Sequence, residues 1–267
     1  MRTLLLAALV AALVPGSPEI ARDVVIHAGT PIDGVSRAPR RHDSIRIHDD
    51  EIVAIEAGCA TLADTDITDL SAAVVIPGFI DCRVHIGSKL PGGANGTKAW
   101  LTHNDIDRAF DGALFMRAMF QQGFTAARDV GGGDDSVAIR NAINAGKISG
   151  PRLWVSLEPL GPTACHGDPR DGIDAGLQHA GWDQGLVDTP DEARLGVRQH
   201  KRYGADLIKI MPSGAITSCG DGSRAQTMTI DEMRAAVETA QFDHVTFVMK
   251  GGKVCRQDGH ATAEAAN

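Results

Sequence analysis

Three polar residues at alternate positions close an apolar stretch, and their spacing is the first chemical feature of this sequence. They are Asp81, Arg83 and His85, and the apolar stretch covers residues 74–80. Because successive side chains of a strand point to opposite faces, the three share one face. Polar groups at the carboxyl end of a buried strand are typical of active sites in α/β folds. We therefore predict a buried strand here, with a site at its end.

The run from Pro77 to His85 resembles the first barrel strand of the amidohydrolase superfamily. The family signature is a proline-glycine-hydrophobic-isoleucine-aspartate run followed by His-x-His. The match fails at one position, because Arg83 stands where the family has its first metal-binding histidine. Within the superfamily the chain looks closest to the imidazolonepropionase-like branch, which includes enzymes that cleave Xaa-Pro dipeptides and the amide of ochratoxin.

The resemblance implies a centre of two divalent metals, with zinc as the metal expected if any is retained. The family holds these ions with the His-x-His of strand one, a carboxylated lysine on strand four, histidines on strands five and six, and an aspartate on strand eight. Such ions lower the pKa of bound water and polarise the scissile carbonyl. The implied activity is hydrolysis of amide or peptide C–N bonds in small-molecule amides, dipeptides or N-acyl amino acids.

Lys209 fits the strand-four lysine of this pattern, because it lies in an apolar run that ends at Pro212. Burial would depress its pKa, and a neutral amine can add carbon dioxide to give a carbamate that bridges two metals. The alternative is a lysine at a strand end with a solvated or paired head group. Lys209 and His85 are the two metal ligands that the resemblance assigns, and for His85 a structural role is the alternative.

Arg83 opposes metal binding at this position, because a guanidinium has no lone pair and stays protonated. At ~4 Å and an effective dielectric near 20, two like unit charges repel by about 4 kcal/mol. The ligands expected on strands five, six and eight also have no counterpart, so two of six groups would remain. We expect the activity of this chain to be lost or impaired, unless an assembly supplies the missing half.

His166 is the candidate substrate-binding residue, because Cys165-His166-Gly167-Asp168 resembles a His-Gly-Asp element that relatives carry near the substrate. The alternative is a loop histidine without a partner. The run of three glycines at 131–133 precedes a predicted helix and could receive an anion, although family ancestry already accounts for it.

Hydrophobic periodicity predicts an α/β protein with four consecutive β-α units. Predicted helices cover 105–122, 189–203 and 229–240, and another begins at a cap on Asp135 or Ser136 and closes at Gly146. Predicted strands cover 24–26, 44–48, 51–55, 74–87, 124–130, 151–157, 205–212, 244–249 and 253–255. The resemblance assigns the units to an incomplete TIM-like barrel, and the N- and C-terminal strands to a small β-sandwich.

The predicted organisation has five parts: a signal peptide at 1–21, the N-terminal part of the sandwich at 22–73, the partial barrel at 74–241, a β-hairpin at 242–256 and a polar tail at 257–267. A closed barrel of eight units takes about 200 residues or more. The span from Val74 to Ala240 is shorter and holds four units, which an internal deletion near Ala240-Gln241 would explain. A naturally compact fold is the alternative.

Composition excludes several classes of protein. Of the 267 residues, 43% are apolar, which is enough for a packed core, and the net charge of −8 argues against nucleic acid or an anionic membrane as partner. A positive start, a short apolar core at 3–14 and then Pro15-Gly16 are typical of a secretory signal, so we predict a periplasmic or secreted protein. The alternative is a buried N-terminal helix.

The five cysteines have wide spacings and no C-x-x-C pair, which predicts scattered, mostly buried thiols. Two hypotheses about function stay open besides a working hydrolase. One is a chain of hydrolase lineage that is catalytically inactive. The other is a non-enzymatic binding or assembly subunit that pairs with a full-length relative, and a homo-oligomer is also open.

Overall fold

The computed structural model describes residues 23–63, 65–87, 102–168, 170, 174, 185–215, 222, 224–241, 247–250, 253–257 and 260–261. The predicted signal peptide lies outside these residues. Within them, no helix combines the length and the apolar composition that crossing a membrane requires. The chain divides into two compact units, Met1–Pro77 and Gly78–Asn267.

The first unit holds a four-stranded sheet. Its strands are β1 (Asp23–Pro31), β2 (Asp43–His48), β3 (Glu51–Ala57) and β4 (Asp66–Val75), in the order β3-β2-β1-β4. The predicted tight connection between β2 and β3 is present, and Asp49 there adopts a positive φ of 55°. Such a backbone is tolerated by Asp better than by most residues.

The prediction of one buried strand over residues 74–87 is wrong. Val74 and Val75 end β4, which runs parallel to β1, and the next strand begins only at Phe79. Pro77 has no backbone N–H, so it interrupts the ladder between the two elements. The side chains of Val74, Phe79 and Ile80 are 61%, 51% and 67% exposed. The apolar run 74–80 is therefore divided between two edge strands, β4 of the first unit and β5 of the second.

The second unit contains the predicted β-α alternation. Strands β5 (Phe79–Val84), β6 (Phe124–Asp129) and β7 (Arg152–Val155) form a parallel sheet in the order β5-β6-β7. Four helices accompany them, namely α1 (Asp105–Gln121), α2 (Asp134–Asn144), α3 (Pro190–Tyr203) and α4 (Ile230–Thr239).

Local capping explains where most of these helices begin. The Thr229 side chain accepts from the Glu232 N–H, and the Glu232 carboxylate accepts from the Thr229 N–H, which is the predicted capping box of α4. The helix α3 begins at Thr189 with proline in its first position and ends at Gly204 in the left-handed region, as predicted. The N-cap of α2 is Gly133, and not Asp135 or Ser136.

Residues 206–211 lie beside β7 where a fourth strand is predicted, but they form no regular strand. Asp206 N–H donates to the Val155 carbonyl, and the N–H of Val155 donates back to the Asp206 carboxylate rather than to the backbone. Further along, Leu160 and Ile210 form one isolated parallel bridge. The Asp206 carboxylate thus replaces a backbone carbonyl as the hydrogen-bond acceptor, and Pro212 has no backbone N–H to donate. The prediction of a regular strand over 205–212 is therefore wrong. The predicted position of this segment beside β7 is correct.

Two apolar clusters hold this layer together. One lies between the parallel sheet and α1 and α2, and its buried members are Ile86, Met116, Ala127, Ile139, Leu153 and Val155. The other lies between residues 208–210, α3 and α4, and its buried members are Leu160, Val187, Ala193, Val197, Met228, Ala235 and Ala236. Arg140 on α2 donates to the Asp206 carboxylate at 2.6 Å and to the Gly204 carbonyl at 2.7 Å.

The C-terminal part forms a separate antiparallel sheet of β8 (Phe247–Lys250), β9 (Lys253–Gln257) and β10 (His260–Ala261). The predicted hairpin is present. Gln257 at the end of β9 pairs with His260 of β10, so the start of the predicted polar tail takes part in this sheet. Association of this sheet with the first unit as a β-sandwich stays a prediction.

The prediction of mostly buried thiols is wrong for two of the cysteines that the structure describes. Cys59 and Cys82 are exposed, and Cys165 is buried. Cys82 lies on β5, which has a neighbour on one side only among the described strands.

Candidate functional site

His85 directly follows β5, and its imidazole is fixed by the loop after the next strand. Its Nδ1 lies 3.2 Å from the Gly131 carbonyl oxygen, so the Nδ1–H tautomer donates there. That arrangement leaves the Nε2 lone pair open, as in metal-binding histidines whose other nitrogen donates to a carbonyl. A side chain at position 131 would collide with the ring, so the glycine is required for this approach. The geometry of His85 alone is compatible with a ligand.

The charges around His85 are positive. Partial desolvation lowers the pKa of His85, and the cations of Lys209 and Arg83 lower it further. Burial lowers the pKa of Lys209, and Arg83 again acts in the same direction. In the described part of the chain no carboxylate forms an ion pair with Arg83 or Lys209. The structure therefore brings the two predicted ligands and the substituted position into one electrostatic group, which we call the cation group (Arg83, His85 and Lys209).

These residues do not fit a centre of two metals. Among the described residues, no group of three or more His, Cys, Asp or Glu side chains is arranged to hold a metal ion. His85 supplies one lone pair and Lys209 could supply a carbamate, but the guanidinium of Arg83 acts on both. A dication would have to overcome this repulsion with two donors, where a structural or catalytic site has three or four.

His166, the predicted substrate-binding residue, lies in a tight turn at 163–168. Asp168 is buried and closes this turn, because its carboxylate accepts from the N–H groups of Ala164 and Arg170 at 2.9 and 2.8 Å. The Nδ1 atom of His166 is buried and has no hydrogen-bond partner among the described residues. Gly167 packs on the Met211 sulfur, which places the turn beside the segment that carries Lys209.

A second charged group at the same edge of the sheet was not predicted from the sequence. We call it the carboxylate group (Asp129, Asp135 and Glu158). Burial, helped by the charge of the neighbouring Asp135, raises the pKa of Asp129 to about 7. Burial likewise raises the pKa of Glu158 to about 7, with Asp134 and Asp135 acting in the same direction. The Oδ2 atoms of Asp129 and Asp135 are buried and have no hydrogen-bond partner among the described residues.

Backbone groups hold these carboxylates in place. Asp129 Oδ1 accepts from the Ile86 N–H at 3.3 Å, and Asp135 Oδ1 accepts from the Gly133 N–H at 3.0 Å. The second contact uses a donor at the start of α2, so it works against the predicted anion site at the three glycines. Asp129 is the last residue but one of a predicted strand, and Asp135 is one of two predicted caps of the next helix, which were the available signals. Their desolvation depends on packing and could not be predicted from their order in the chain.

The sequence profile of the amidohydrolase family matches residues 74–252, about two thirds of the 267 residues. The chain belongs to the amidohydrolase family. It is also 30% identical over 255 residues to ochratoxinase of Aspergillus niger, and this alignment covers 85% of the chain and 50% of that relative.

Solved structures of other amidohydrolases have the same fold over the matched part. A Xaa-Pro dipeptidase with methionine bound in its active site superposes with a TM-score of 0.76 at 32% identity, covering 82% of this chain and 54% of that one. A prolidase complexed with N-methylphosphonate-L-proline gives 0.71 at 30% identity, covering 82% and 53%. Ochratoxinase of A. niger gives 0.71 at 26% identity, also covering 82% and 53%.

The chain thus spans about half the length of the relatives that it matches. The β-α units of the second unit, with three regular strands, are a partial amidohydrolase barrel. This confirms the predicted family and fold class, while the internal deletion stays a prediction.

Proposed function

We propose that this amidohydrolase descends from metal-dependent hydrolases of amide or peptide C–N bonds and has lost most or all of that activity as a single chain. The ancestral substrates are dipeptides or N-acyl amino acids, which agrees with relatives described as a Xaa-Pro dipeptidase and an ochratoxinase. The ancestral cofactor is a divalent metal, with zinc as our choice.

One observation carries the proposal, namely the composition of the cation group. Arg83 lowers the pKa of both His85 and Lys209, so its positive charge acts on both of the remaining ligands. In a functional centre the metal supplies an activated water and polarises the carbonyl. The residues of this chain could orient an amide through His166, but they do not hold the ion that this chemistry needs.

The test is metal content and turnover of the purified full chain. After incubation with zinc, cobalt or manganese and removal of free ion, we expect well under one bound metal per chain by mass spectrometry. We expect no hydrolysis of Xaa-Pro dipeptides or N-acyl amino acids above a protein-free blank. The control is the His85→Ala variant, which should give the same values. One metal per chain with turnover that His85→Ala abolishes would show that the chain is a working hydrolase.

A second candidate function is an assembly subunit without catalysis of its own, pairing with a full-length relative. Large apolar side chains on α1 favour it, because Ile106, Phe110 and Leu114 are all more than 60% exposed. Co-expression with a full-length amidohydrolase and mass measurement of the purified complex test it. Recovery of both proteins only as separate species would exclude it.

We also propose export to the periplasm or beyond, supported by the charge and apolar pattern of residues 2–14. Fractionation of expressing cells and N-terminal sequencing of the purified protein test this. Recovery of the uncleaved chain in the cytoplasm would contradict it.

A further inference from the structure

The partial barrel has two open ends in the described part of the chain. We call β5 together with α1 the leading end, and residues 206–211 together with α4 the trailing end. The strand β5 pairs with β6 alone among the described strands, and residues 206–211 bond to the segment that continues β7. Each end therefore presents backbone groups that a further parallel strand could pair with.

The leading end carries five exposed large apolar side chains on its two elements. They are Phe79 and Ile80 on β5 and Ile106, Phe110 and Leu114 on α1, all between 51 and 71% exposed. The three on α1 are four residues apart, so they lie along one face of the helix. Single exposed apolar residues are common, but a stripe beside an unpaired strand marks an interaction surface.

The trailing end carries a smaller set of the same kind. Ile230 and Val237 on α4 are 62% and 58% exposed, and their seven-residue spacing places them on one face. The helix α2, inside the layer, differs from both end helices. Its large apolar residues, Val137, Ile139 and Ile143, are all buried or half-buried and pack into a core cluster.

Trp154 indicates that the face of the sheet away from the helices is also open among the described residues. Leu153 and Val155 of β7 are buried against α1 and α2, whereas Trp154 between them is 46% exposed. Parallel sheets are normally covered on both faces, and in a closed barrel the opposite strands cover the inner face. The exposed Trp154 therefore indicates that the opposite side of a ring is the missing cover.

We propose that two copies of this chain join leading end to trailing end and close one parallel eight-stranded ring around a twofold axis. A rotation of half a turn about the ring axis keeps every strand parallel and places β5 of one copy beside residues 206–211 of the other. Both junctions are then identical, so neither copy keeps an open edge. The exposed faces of α1 and α4 meet at each junction, and Trp154 faces the strands of the second copy.

The area available agrees with a stable dimer. Seven exposed side chains per junction offer roughly 100 Å² each, so the two junctions bury roughly 1,400 Å² of apolar surface. Stable interfaces bury about 1,200–2,000 Å² in total. A second copy is chosen over other partners because it supplies both complementary ends and the four strands that the ring lacks.

Mass measurement of the full chain is the first test. Sedimentation equilibrium over a concentration series should give twice the 28.1 kDa of one chain at micromolar concentration. A monomer at all concentrations overturns the proposal. A chain that stays monomeric alone and forms a one-to-one complex with a full-length relative also overturns it, in favour of the assembly subunit above.

Substitutions at the two ends test the geometry of closure. Phe110→Asp alters the leading end and Val237→Lys alters the trailing end, and each should weaken the dimer at least about tenfold. Leu195→Asp is the matched control, because Leu195 is 53% exposed on α3 inside the layer, and it should leave the dimer unchanged. All three positions are exposed, so unchanged circular dichroism is expected. A Val237→Lys variant that dimerises normally would indicate face-to-face pairing through α1 and overturn the ring.

Mixing the two altered chains distinguishes ring closure from any other dimer. In a mixed ring, one junction places the introduced carboxylate beside the introduced ammonium, and the other junction keeps the native Phe110 and Val237. The mixture of the Phe110→Asp and Val237→Lys proteins should therefore form more dimer than either protein alone. A mixture no more dimeric than its components overturns the proposal.

Discussion

The cation group and the carboxylate group lie at the same edge of the parallel sheet but differ in their exposure to solvent. Asp129 and Asp135 are 0% and 3% exposed, whereas Arg83 and His85 remain open to water. Adjacent glycines contact the two groups, because the His85 ring packs on Gly131 and the Asp129 carboxylate packs on Gly132. Substitution in the carboxylate group should therefore change stability, and substitution in the cation group should change local chemistry with little effect on folding.

The largest effect that this comparison predicts is that of Gly132→Ala. An added Cβ would lie 2.5 Å from Asp129 Oδ2 and 2.8 Å from Ser136 Cβ, both buried. Because neither neighbour has room to move, we expect a loss of about 2–4 kcal/mol in the free energy of unfolding. Urea denaturation monitored by circular dichroism measures it.

Gly131→Ala is the matched comparison for that variant. The added methyl group meets the exposed His85 ring, which can rotate towards solvent, so we expect a loss of under about 1 kcal/mol. Equal losses of unfolding free energy for Gly132→Ala and Gly131→Ala would contradict the difference in packing between the carboxylate group and the cation group.

The second-largest predicted effect is the pH dependence of folding stability that Asp129 contributes. Its pKa is raised from 3.8 to about 7, so the folded state holds a proton that the unfolded state releases between those values. Stability from this group is therefore present below about pH 4 and is lost as the pH rises towards 7. The Asp129→Asn variant lacks this titrating carboxyl group and should not show this loss. The unfolding free energy of the variant minus that of the wild type should therefore increase by about 2–4 kcal/mol from pH 4 to pH 8.

Glu158 has a raised pKa as well and adds a loss of the same sign in both proteins. The measurement is therefore the difference between the Asp129→Asn and wild-type unfolding free energies at each pH. A difference that is constant from pH 4 to pH 8 would show that Asp129 is solvated in the folded protein.

The elements that were predictable from the sequence are those with local causes. The starts of α3 and α4 follow from Thr-x-x-Glu runs, and the end of α3 follows from Gly204, because capping involves only neighbours in the chain. The order of β5, β6 and β7 also followed from the alternation of short apolar runs and helices.

What could not be predicted depends on contacts between distant residues. Residues 206–211 are irregular because the Asp206 carboxylate takes the Val155 N–H, a contact across 51 positions of the chain. Phe79 and Ile80 are apolar and yet exposed, and they lie on a strand that has a neighbour on one side only among the described residues. The proximity of His85, Lys209 and Arg83 was expected only through the family resemblance.

A smaller effect is expected within the cation group. Lys209→Met removes one of the two charges that lower the pKa of His85, so that pKa should rise. Because desolvation is the largest cause and remains, the pKa should stay below the ordinary histidine value. Titration of the His85 ring resonances by NMR measures it, and Lys147→Met, on the exposed surface after α2, should cause no change. An unchanged pKa would show that the Lys209 charge does not act on His85.

The smallest effect is expected from Arg83→His, although it recreates the His-x-His of the family. The change removes the repulsive guanidinium and adds a second imidazole, so zinc should bind more tightly than to the wild-type chain. Hydrolysis of Xaa-Pro dipeptides should nevertheless stay at the protein-free rate, because two histidines and a lysine leave the second metal and the base for water without ligands. Isothermal titration with zinc and a dipeptidase assay measure the two effects separately. Turnover that appears with this single substitution, and disappears with Lys209→Met, would show that the donors of one chain suffice.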